Sequence, residues 1–250
     1  MYREDMIKLE GYIRELEVYQ GVLNALGGKG DSLIASSAIL GTLAGNVTLG
    51  TQSVFLASQS RLHIETLVMK INGKICVGQF HRVLLQQNEY VVCVAKKIEE
   101  NVYELFSVLS PSTGILHMQV GMGASITNFK KSTNKGGLVW FTLTCVIAFT
   151  FIIVLPQNFD LVNFLIFFSA IFTFYFLFMY IIKSSAASLI YLSENSEQIF
   201  DLYGFKNPQE IYLFTARHED TSEKLILESI YDYRKVIKDD PYPEDYSDKK

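Results

Sequence analysis

From Gly136 to Ile182 the chain reads GGLVWFTLTCVIAFTFIIVLPQNFDLVNFLIFFSAIFTFYFLFMYII, with Asp160 its only charge. Two apolar runs lie inside it, residues 138–155 and 161–182, divided by PQNFD at 156–160. A helix needs roughly 20 mostly apolar residues to cross a bilayer. A soluble helix instead keeps a polar stripe at a period of 3.6. Here the polar positions are few, Thr142, Thr144, Thr150 and Ser169 among them, with Phe all round. Pro156 cannot continue a helix interior, and Asn158 and Asp160 favour a turn. The pattern predicts a two-helix transmembrane hairpin over 138–182, with Trp140 and Tyr180 near its outer ends, where aromatic belts form. Lys130, Lys131 and Lys135 precede the first run and Lys183 follows the second, while the tip carries no basic residue. By the positive-inside rule both termini face the cytoplasm. The expected location is therefore a membrane, with the bulk of the chain on its cytoplasmic side.

The pattern before the hairpin has a different period. Residues 62–121 alternate in short β-rich runs: LHIETLVMK and GKICVGQF about Asn72-Gly73, then NEYVVCVAKK, NVYELFSVLS and GILHMQVG. Asn-Gly between such runs is a strong hairpin signal, because both turn positions need positive φ. Five short strands at close spacing predict a small barrel or rolled sheet in the cytoplasm. Ahead of it, residues 32–60 carry no charge and are rich in Ala, Gly, Ser and Thr. They read as a packed small-residue helical stretch or a loop, or as a segment that packs in or on a membrane. GTLAGNVTLG lacks the GK[ST] of a phosphate loop.

After the hairpin, Leu189, Leu192, Ile199, Leu202 and Tyr203 recur at helical spacing, and Gly204 caps the helix they predict. A second helix is predicted over 222–237, with Leu225, Ile226, Ser229, Ile230 and Tyr233 on one face. The tail at 238–250 is polar and acidic and reads as disordered. The expected organisation is thus an N-terminal segment (1–61), a β-rich domain (62–121), the hairpin (138–182), a C-terminal helical region (184–237) and the tail. In class it is an α+β membrane protein.

Composition changes this picture little. The 250 residues have a net charge of −4, which gives no basic signature for nucleic acid. Cys76, Cys93 and Cys145 are far apart and form no CxxC pair. His63, His81, His117 and His218 show no metal-ligand spacing. The N-terminus has no apolar run of the secretory kind. GxSxG and HExxH are absent, Ser110-Pro111-Ser112 reads as a turn, Glu99-Glu100 as a solvated connection, and His218-Glu219-Asp220 as a loop. No catalytic, cofactor-binding or metal-binding residue is assigned, and no enzyme is expected.

Several of these pieces occur together in one order: LEGYIRELEVY, the charge-free stretch, LVMKINGKICVGQF, YVVCVAKKIEENVYELFSVLSPSTGIL, the hairpin, and SEQIFDLYGFKNPQEI. In that order the chain resembles bacterial proteins described as putative type VI secretion system effectors, over residues 9 to about 213. Where that family has a Gly-Asp turn and an Arg-Pro step, this chain has Gln86-Gln87-Asn88 and Leu109-Ser110-Pro111-Ser112. The resemblance implies a setting, contact-dependent competition between bacteria, and no catalytic residue. The function expected is a non-enzymatic inner-membrane protein whose hairpin anchors a β-rich partner-binding domain, in an immunity or accessory role. One alternative is a membrane-active toxin that oligomerises and permeabilises a target membrane, and another is a ligand sensor. The expected partners are a lipid bilayer, another protein such as a toxin, immunity or secretion component, and a further copy of the chain. No nucleic acid and no cofactor is expected.

Overall fold

The computed structural model describes residues 5–23, 62–154, 161–218 and 229–249. Among the described residues seven strands form one sheet: β1 (Met6–Leu23), β2 (Leu62–Ile71), β3 (Lys74–Phe80), β4 (Tyr90–Glu99), β5 (Val102–Ser110), β6 (Ile115–Met118) and β7 (Ile230–Asp232), in the order β3-β2-β1-β4-β5-β6-β7. A parallel pairing of β3 with β5 closes the first five into a barrel, with Ile75 opposite Val102 and Val77 opposite Glu104.

The barrel takes its longest strand from ahead of the β-rich region. β1 pairs with β4 through residues 6–12 and with β2 through residues 13–23, so one strand serves two neighbours. Its mixed sequence MIKLEGYIRELEVYQ hides this. Leu9 and Ile13 face the interior, while Ile7, Tyr12 and Val18 are exposed. β2 and β3 form the hairpin that Asn72-Gly73 predicts, with φ of 50° and 80° at the two turn residues. Gly11 is needed where this turn comes close. A Cβ there would lie 2.7 Å from Asn72 Nδ2, and that amide donates to the Glu10 carbonyl at 2.9 Å.

β4 is buried on both faces, and this explains its unbroken apolar run. Val91, Cys93 and Ala95 belong to the barrel interior with Leu67, Met69, Phe80 and Leu105. Val92 and Val94 belong to a second core outside the barrel, with Phe106, Leu109, Leu192, Ile199, Phe200 and Tyr203. Opposite them, Val94 pairs with Ser107 and Ala95 with Leu105, leaving Phe106 as the extra residue of a β-bulge. Past the bulge β5 leaves β3 and pairs with β6 through Ser107–Ser110.

Two helices follow, α1 (Ile126–Val154) and α2 (Leu161–Leu202). They are not the two spans read from the sequence. α1 begins well before Leu138 and carries Lys130, Lys131 and Lys135 in its opening turns. α2 runs unbroken through Lys183 and on to Leu202, because nothing in KSSAASLIYLSENSEQIF stops a helix. Its last turns belong to the second core. Each apolar run is therefore part of a longer helix whose remaining turns are polar or packed against the barrel. Among the described residues no helix is long and apolar enough to cross a membrane. This finding overturns the transmembrane hairpin, and with it the placement in an inner membrane with both termini cytoplasmic. Residues 155–160 and the side chains of 151–167 lie outside the described residues.

The C-terminal helical region is corrected as well. Where a helix was expected over 222–237, Ile230–Asp232 form β7 on the edge of β6, followed by a 3-10 turn at Tyr233–Lys235. The open edge of β6 supplies a ladder that outweighs weak local helix preference. The tail is ordered: Tyr242 is 2% exposed and lies in the second core. Residues 24–61, including the small-residue stretch, and 219–228 lie outside the described residues.

Candidate interaction surface on the helix arm

The residues weighed in the sequence for chemistry are placed apart. Cys76 and Cys93 sit inside the barrel, where burial pushes the Cys76 thiol up to about 12 and that of Cys93 well above its usual value. Cys145 is partly exposed on α1. His117 on β6 is buried, and its Nε2 accepts from the Leu84 amide at 3.1 Å. Burial lowers its pKa to about 4, against the pull of the Val108 backbone and with a further lowering from His218. His218 pairs with Asp232 at 3.2 Å. Burial tends to raise the Asp232 carboxyl, but Lys235 and His218 outweigh it and hold it below the usual range. His81 is buried at the end of β3, while the side chain of His63, on β2, and Glu219-Asp220 lie outside the described residues. Ser110 and Ser112 both bond to the Glu89 carboxylate and tie the turn after β5 to the start of β4. Glu99 and Glu100 are exposed. Among the described residues no three or more His, Cys, Asp or Glu side chains are grouped to hold a metal.

The helices present the larger anomaly. At their lower end they are bonded firmly to the barrel domain. Ser125 caps α1, its Oγ accepting from Asn128 N at 3.3 Å, and Glu197 from α2 accepts from the free Ile126 amide at 2.8 Å. Ser196 Oγ accepts from Gly123 N at 3.0 Å. α2 ends in a Schellman cap: Phe205 N donates to Phe200 O at 3.0 Å and Gly204 N to Asp201 O at 2.9 Å, with Gly204 at φ 74°. The Phe200 and Phe205 rings add the expected contact, 6.2 Å apart. Beside this cap the Tyr203 hydroxyl lies 2.8 Å from Ser107 Oγ and donates to Val92 O at 3.2 Å. Burial raises the Tyr203 phenol well above its usual value, so it stays a neutral donor.

Above the barrel the helices pack on each other. Gly137 leaves room for Met179, whose Sδ would be 2.7 Å from a Cβ there, and the Phe141 and Tyr175 rings are 4.3 Å apart. The outward faces are bare. Leu138 is 64% exposed, Val139 67%, Phe172 61% and Tyr180 72%, and Phe174, Phe176, Leu177 and Ile181 are exposed with them. The hydroxyls of Thr142, Thr150 and Thr173 donate to carbonyls four residues back, at 2.8–3.0 Å, which removes most of their polarity from the surface. Where the arm meets the domain, Thr127, Lys130, Lys131, Asn134, Lys135 and Leu138 line an open groove of about 520 Å³.

The sequence made the apolar runs obvious but not their continuity with the core. The bonds made by Glu197, Ser196 and the Tyr203 hydroxyl escaped it, since each acts across at least 70 residues of chain. Ser125 immediately before a long helix is a cap signal that was there to be read. No protein-family model, curated protein or solved structure matches this chain.

Proposed function

We propose that this is a non-enzymatic docking protein, in which the helix arm attaches to an apolar surface and the barrel domain is what it presents there. One observation carries the reading: large apolar side chains stand bare along helices whose other ends are capped and bonded into a folded domain. Large exposed apolar patches mark attachment surfaces. Burying each such side chain gains about 1.5–3 kcal/mol, so the arm has a strong drive to be covered. An accessory or immunity role in type VI secretion, the setting implied by the resemblance, is part of the same proposal and rests on the quoted residues alone.

Analytical ultracentrifugation of the full chain tests it, first without detergent and then with neutral detergent micelles. The reading expects self-association in the first condition and detergent-coated protein in the second. Leu138→Glu/Phe172→Glu/Phe176→Glu should weaken both and leave the tyrosine near-ultraviolet spectrum of the domain unchanged. A chain that stays monomeric and free of detergent in both conditions would refute the docking role.

A further inference from the structure

We infer that the lysine groove at the foot of the arm binds the phosphate headgroup of an anionic lipid. This deepens the docking reading above, and rests on it, by naming the surface. Residues 127, 131, 135 and 138 follow one face of α1, and 130 and 134 lie beside them, as spacings of three and four require. Three ammonium groups are thus concentrated within six residues of a chain whose net charge is −4. Among the described residues none of the three takes part in an ion pair. Thr127 and Asn134 add short polar groups able to hydrogen-bond phosphate oxygens.

A free phosphate would use only this polar part. The groove, however, ends at Leu138, with Val139 next to it, and these are among the most exposed apolar side chains on the arm. Cationic and apolar groups in direct succession match a ligand whose phosphate is joined to hydrocarbon. The lysines meet the headgroup while Leu138 and Val139 meet the chains.

Vesicle co-sedimentation of the full chain tests this, using phosphatidylcholine alone and phosphatidylcholine mixed with phosphatidylglycerol. Each lysine near an anionic surface contributes about fivefold in partitioning, so Lys130→Gln/Lys131→Gln/Lys135→Gln should weaken binding to the mixed vesicles on the order of a hundredfold. The loss should shrink as salt rises, and binding to phosphatidylcholine should be unaffected. Lys97→Gln/Lys206→Gln/Lys238→Gln makes the same charge change elsewhere and should leave the preference for mixed vesicles largely in place. Equal binding of the wild-type chain to both vesicles would overturn the headgroup site while leaving docking intact. Loss of the preference on adding millimolar inorganic phosphate would overturn the lipid as ligand in favour of a soluble anion. Failure to bind either vesicle would overturn the lipid as ligand; the docking reading falls with it only if the chain also stays monomeric and free of detergent in the ultracentrifuge.

Discussion

Replacing Tyr203 with Phe removes one oxygen atom from the joint between arm and barrel. That oxygen is within hydrogen-bonding distance of Ser107 Oγ and donates to Val92 O, joining the end of α2 to β5 and β4. Ser107 is fully buried, so water cannot replace the lost partner. Each bond contributes about 1 kcal/mol net, and a buried hydroxyl left without a partner costs about 1–3 kcal/mol. The expected loss is about 2–3 kcal/mol. Ser107→Ala alone should cost about 1 kcal/mol, because Tyr203 keeps Val92. In the double variant the stranded serine hydroxyl is gone, so the two losses should fall short of additive by about 1 kcal/mol. Urea unfolding of the four proteins, followed by tyrosine near-ultraviolet dichroism, measures the cycle. If Tyr203→Phe lies within about 0.5 kcal/mol of the parent, or the two changes simply add, the hydroxyl does not hold this joint.

Gly123 has φ 124° and a Cβ there would lie 2.5 Å from the Tyr231 hydroxyl, so Gly123→Ala should destabilise by roughly 3 kcal/mol in the same unfolding assay. His117 has a folded pKa of about 4 against 6.5 for the free side chain, so between those values the unfolded chain binds more protons. Stability should therefore be intact above pH 6.5 and fall by about 3 kcal/mol as the pH drops to about 4. A pH series of melting temperatures should show a shallower decline for His117→Gln. Arg234 donates to Asp240 at 2.7 Å, to Pro111 O at 2.6 Å and to Tyr242 O at 2.8 Å. Arg234→Ala should release the tail, seen as faster amide exchange at Tyr242 and Tyr246, at a cost of about 2 kcal/mol.

What the sequence disclosed depended on the range of each interaction. The Asn72-Gly73 turn and the Gly204 cap are local, and their residue chemistry alone points to them. β1 was hidden because half its ladder is with β2 and half with β4, so its exposed positions interrupt a simple alternation. The expected helix over 222–237 followed the spacing of apolar residues in the sequence, and the stretch is described only from Ser229 on. That local preference yielded to the hydrogen bonds offered by β6. The acidic tail reads as solvent-loving until Arg234 and the aromatic cluster around Tyr242 are brought to it by the fold. The arm was misjudged for a related reason: hydropathy sees an apolar run, but not that the same helix continues into a core.

The bulge at Phe106 gives β5 two allegiances, to β3 on one side of it and to β6 on the other. Tyr203 lies against this point, at the end of α2. A pull applied along the arm therefore enters the sheet where the barrel seam ends. The seam is short, with three residue pairs, while β1 and β4 resist along seven. Under tension the parallel seam should part first, opening the barrel to a curved sheet while β1, β2 and β4 stay joined. A molecule held at one end and tugged at the other would then have a built-in yield point, and single-molecule force spectroscopy would record it as a small extension before the main rupture.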